Sequence, residues 1–86
     1  MNPDTQNRLI DAALQAVKSA LVRLNELQIR VLKVCINNLP THHPKVLIDI
    51  PPASVQLARG LVRQTRNYQT WAARIGECQV EWTCPR

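Results

Sequence analysis

The sequence predicts an α+β domain: a long N-terminal amphipathic helix, a short strand, a second, arginine-rich helix and a closing β-hairpin, the helices covering a three-stranded antiparallel or mixed sheet. Three observations carry this expectation. Apolar residues recur at alternating spacings of four and three from Ile10 to Cys35. Val46, Ile48 and Ile50 alternate with Lys45, Leu47 and Asp49. The stretch WAARIGECQVEW, Trp71 to Trp82, is apolar at mirrored positions about Gly76-Glu77.

The first helix is expected over about 4–37. Asn2-Pro3-Asp4 offers a cap, a proline at a start position and an early acid. The seam is Ile10, Leu14, Val17, Leu21, Leu24, Gln28, Val31 and Cys35, with Gln28 its polar member. Leu9, Ala13, Ala20, Leu27 and Leu32 widen it into a stripe. Such a helix would reach roughly 50 Å at 1.5 Å per residue, more than so small a domain needs. The seam is therefore expected to pack against a second copy in a homodimer, or against a partner helix, with Gln28 setting the register. The competing reading stops the helix near Glu26 and makes QIRVLKVCI a strand, because the piece is rich in β-branched residues. Its alternation is poor, since Lys33 shares a face with Ile29, Val31 and Cys35, so the helix is preferred.

The two Asn and two Pro of residues 37–44 mark a loop, and a strand follows over about 45–50. Pro51-Pro52 ends it. A second helix is expected over about 53–68, with Leu57, Ala58, Leu61, Val62 and Tyr68 on one face. Arg59, Arg63 and Arg66 then lie on the other face at i, i+4 and i+7. Gly60 inside such a helix costs roughly 1 kcal/mol against Ala. The hairpin is expected over about 71–83, with Gly76 at the first central position of a type II′ turn. Ile75 then faces Cys78, Ala73 faces Val80, and Trp71 faces Trp82 at the open end of the hairpin, over the core. Arg74 falls on the opposite face, diagonal to Glu81.

Residues 1–86 read as one small domain. Hydrophobic content of 45% is too high for intrinsic disorder, and without Phe the core falls to Leu, Val, Ile, Ala and two Trp. The formal charge of +5 favours an anionic partner. No acidic residue occurs between Asp49 and Glu77, where Arg59, Arg63, Arg66 and Arg74 fall. The odd cysteine count, Cys35, Cys78 and Cys84, argues against a disulfide framework. The polar start and the lack of an apolar run of ~18 residues argue against a secretory signal or a membrane span. A cytoplasmic setting without membrane association is the simplest expectation.

Little in the sequence supports catalysis. Its carboxylates form no evident pair. Gly60 and Gly76 make no phosphate-cradling loop. A Cys84 nucleophile would have only His42 or His43 as a base. Adjacent His side chains diverge, and Cys78 and Cys84 lack the short spacing of a zinc knuckle. No catalytic residue, metal or cofactor is expected. The arginine stripe is the strongest hint, since guanidinium groups one turn apart grip carboxylates or phosphates bidentately. Basic patches are also common solvated faces, and Ala53 to Gln69 is too short for the two helices that precede a DNA-reading wing. The expectation is a small non-catalytic accessory or regulatory protein, in the manner of those carried by phages and other mobile elements. It binds an acidic protein surface or assembly through Arg59, Arg63, Arg66 and Arg74. The alternative is a nucleic-acid-binding regulator using the same arginines with Lys45.

Overall fold

The computed structural model describes residues 2–37, 39 and 41–86. Helix α1 spans Pro3–Glu26 and opens as its sequence dictates. The Asn2 side chain accepts a hydrogen bond from the Thr5 N–H at 2.9 Å, Pro3 stands in the first turn and Asp4 lies near the positive end of the helix dipole.

The helix stops eleven residues before the expected 37, and the stop has a defined geometry. Leu27 caps it, Gln28 takes a left-handed backbone with φ of 59°, and Ile29 turns into the core. The Ile29 N–H reaches Leu24 O at 2.9 Å and the Gln28 N–H reaches Asn25 O at 3.0 Å. These two bonds, with the contact between buried Leu24 and Ile29, make a Schellman stop. Gln28 is thus a terminator and not the register-setting member of a heptad seam. Glycine is the usual occupant, because a side chain in the left-handed region costs roughly 1–2 kcal/mol. Gln28→Gly is accordingly expected to raise stability by about 1 kcal/mol, read as a higher urea midpoint with an unchanged slope.

Beyond the stop, strands β1 (Val31–Cys35) and β2 (Lys45–Ile48) pair antiparallel. The strand reading of this segment, set aside on the sequence, is therefore the correct one. The remaining strands are β3 (Gly60–Gln64), β4 (Tyr68–Ile75) and β5 (Cys78–Pro85). The sheet has five strands in the order β1-β2-β5-β4-β3, not three. Only β2 and β5 run parallel; every other pair is antiparallel, so the sheet is mixed.

The expected second helix over 53–68 is absent. Residues 49–59 form an irregular connection and 60–64 a strand. This connection leaves β2, passes β5 and β4, and delivers the chain to the far edge as β3. Val55 and Leu57 pack from it onto the core. Gly60, Val62 and Thr65 are weak helix formers, and pairing with β4 satisfies the β3 backbone instead.

The hairpin follows the expected register: Ile75 opposite Cys78, Ala73 opposite Val80, Trp71 opposite Trp82. Gly76 has φ of +60° and Glu77 stays at negative φ, the backbone pattern of a type II′ turn. The hairpin continues to Tyr68 opposite Pro85, so the Trp pair lies midway along it and not at its open end.

One sheet face carries Val46, Ile48, Ala73, Cys78, Val80 and Trp82, and α1 covers it with Val17, Ala20 and Leu24. The predicted seam is split. Val17 and Leu24 are buried on the chain's own sheet, while Ile10, Leu14 and Leu21 remain exposed on the flank of α1. Val31 belongs to β1 and not to the helix. Among the described residues, no helix is long and apolar enough to cross a membrane.

Candidate functional site

The sheet face turned away from α1 is polar, because alternation sends every second residue of each strand outward. Its centre is Glu81, only 5% exposed although it lies on the uncovered face. The Lys45 Nζ comes within 3.2 Å of Glu81 Oε2, and the Gln79 amide donates to the same oxygen at 2.6 Å. The Thr70 and Thr83 hydroxyls meet across β4 and β5 at 3.1 Å. A shallow groove of about 360 Å³ crosses this region, lined by Leu32, Leu47, Arg63, Thr70, Glu81 and Thr83 among others. Glu81 is spoken for by Lys45 and Gln79, so the groove offers a held carboxylate rather than a free one.

The four arginines singled out from the sequence do not form a helical stripe, since their helix does not exist. Arg59 precedes β3 and stacks on Trp71, its guanidinium carbon 4.4 Å from the ring centroid. Arg63 lies in β3 opposite Thr70, and Arg66 in the turn between β3 and β4. The structure thus strings Arg59, Arg63 and Arg66 along one sheet edge, Arg59 on the face of Trp71 and Arg63 on the face of Thr70. Arg74 leans the other way across β5, with Nη2 3.0 Å from His43 Nε2.

Arg86 is a member of this edge that the sequence reading missed. Its N–H donates to Asn67 O at 2.8 Å and its Nη1 to Thr65 O at 3.3 Å, which holds it on the β3–β4 turn. Only its charge marked it beforehand. Lys45, named in the nucleic-acid reading, is committed to Glu81.

The salt bridges use Asp4, Glu26, Asp49 and Glu81, with Arg8, Arg23, Arg30 and Lys45 as their cations. Among the described residues, Arg59, Arg63, Arg66 and Arg74 therefore have no carboxylate partner. No group of three His, Cys, Asp or Glu side chains with metal-site geometry occurs among them either. Cys78 is buried under the helix, on the face opposite Lys45 and Glu81, and its thiol is pushed above the usual range by desolvation, then by Glu77, with Arg74 opposing. Such a thiol is a poor nucleophile at neutral pH.

No protein-family model, curated protein or solved structure matches the chain.

Proposed function

We propose that the chain is a small non-catalytic interaction protein that binds an acidic protein partner at the arginine edge of its sheet. The observation that supports this most is the set of exposed guanidinium groups at Arg59, Arg63 and Arg66, standing in a span without acids and outside every salt bridge of the described residues. Exposed cations outside any salt bridge can meet external carboxylates, Arg59 while stacked on Trp71, and their collective field speeds association with a negative surface. The adjoining Leu61 and Val62 are 48% and 52% exposed, an apolar element that suits a protein contact better than a phosphate backbone.

The test is binding of fluorescent polyglutamate and of a mixed-sequence DNA duplex, each at low and moderate salt. Polyglutamate is expected to bind more tightly than the duplex. The variant R59E/R63E/R66E is expected to weaken polyglutamate binding by about tenfold, from exposed pairs of roughly 0.5 kcal/mol each. Tight duplex binding with a steep salt slope, alongside indifference to polyglutamate, would replace this reading with a nucleic-acid-binding one.

A further inference from the structure

We propose that β3 receives its partner by strand addition: an extended acidic segment of another protein pairs with the free edge of Gly60–Gln64, its carboxylates meeting Arg63 on the uncovered face, with Arg59 and Arg66 adding to the positive field of the edge. The inference rests on the acidic-partner reading above and adds the mode of binding.

β3 is the last strand of the sheet, and all five of its residues are exposed. Its inner edge bonds to β4, and among the described residues no strand stands beside its outward peptide groups. An edge of this kind templates a further strand, with main-chain bonds giving affinity and side chains giving choice. Leu61 lies opposite Trp71 on the sheet, so an incoming strand would extend an apolar row that already exists.

Charge selects the occupant. A second copy pairing edge to edge would bring two sets of Arg59, Arg63 and Arg66 into one joint, and like charges across strands are destabilising. An acidic strand reverses the electrostatic sign while keeping the main-chain bonds. The opposite edge, β1, lacks this signature: Lys33 is its lone basic residue, and Arg30 beside it is held by Asp49 at 2.8 Å.

The experiment uses a short synthetic peptide of alternating Val and Glu, its Lys-for-Glu counterpart, and two versions N-methylated at alternate amides, one in each frame. Only one row of peptide amides can face β3. One methylated frame is therefore expected to lose affinity by roughly 10–100-fold, the equivalent of about two hydrogen bonds, while the other frame is tolerated. The Lys peptide is expected not to bind. Amide exchange should slow within Gly60–Gln64 and stay unchanged in Val31–Cys35. Equal affinity of both methylated frames, or protection appearing at β1, overturns strand addition. Under that outcome, loss of peptide binding in R59E/R63E/R66E leaves the acidic-partner reading standing. If neither the Val-Glu peptide nor polyglutamate binds, both readings fall. Protection of β3 that rises with protein concentration without peptide would place a second copy on the edge, and likewise overturns the proposal.

Discussion

Leu24→Ala is expected to destabilise the protein by about 2–5 kcal/mol, the range for removing a fully packed leucine. Leu24 has no exposed surface and stands where α1, the Ile29 turn and the sheet meet. The substitution removes apolar area and also half of the hydrophobic contact that closes the Schellman stop. A domain of this size commonly holds only about 5–15 kcal/mol in total, so the loss is a large share. Leu14→Ala on the same helix should cost within about 0.5 kcal/mol, because Leu14 is 51% exposed. Urea unfolding of both variants, at two protein concentrations, decides the matter. Comparable losses at the two positions, with a concentration-dependent midpoint for Leu14, would mean that a second copy covers the outer seam.

Lys45→Met should destabilise by about 1–2 kcal/mol, because it leaves Glu81 charged, 5% exposed and held by Gln79 alone. The loss stays modest because the Lys45 side chain is 45% exposed, so water already screens part of the attraction and can partly replace it. Methionine preserves the length of the lysine stem, which isolates the charge from the packing. The double variant Lys45→Met/Glu81→Leu should recover most of the loss, since an apolar pair carries no desolvation penalty. Thermal or urea unfolding of the two single variants and the double completes the cycle. A double variant as unstable as Lys45→Met alone would show that the defect does not arise from the orphaned carboxylate.

The candidate site was legible in part. The acid-free span from Asp49 to Glu77 marked Arg59, Arg63 and Arg66, and among the described residues all three lie outside every salt bridge. Their geometry was not legible. Spacings of four and three fit a helix wheel, but the same residues also suit an edge strand and its turn, where a bulge at Val62 resets the alternation. Arg86 joins the group through contacts with Thr65 and Asn67 that no local pattern announces.

The features that residue order alone establishes are local. Asn2 and Pro3 set the start of α1, and Gly76 set the turn whose two arms alternate in phase, so the register from Ile75–Cys78 to Trp71–Trp82 could be read directly. These features depend on residues only a few positions apart along the chain or across one turn, and their chemistry is unambiguous. Tertiary structure decided the rest. The stop at Gln28 has no glycine to signal it, and it stands because burying Leu24 with Ile29 offsets the left-handed backbone. Residues 31–35 became a strand because β2 gave them a partner, and 60–64 because β4 did. Periodicity shows which faces are apolar, but only the pairing of distant segments, which satisfies backbone groups that would otherwise be left open, chooses between helix and strand when the two patterns fit almost equally well.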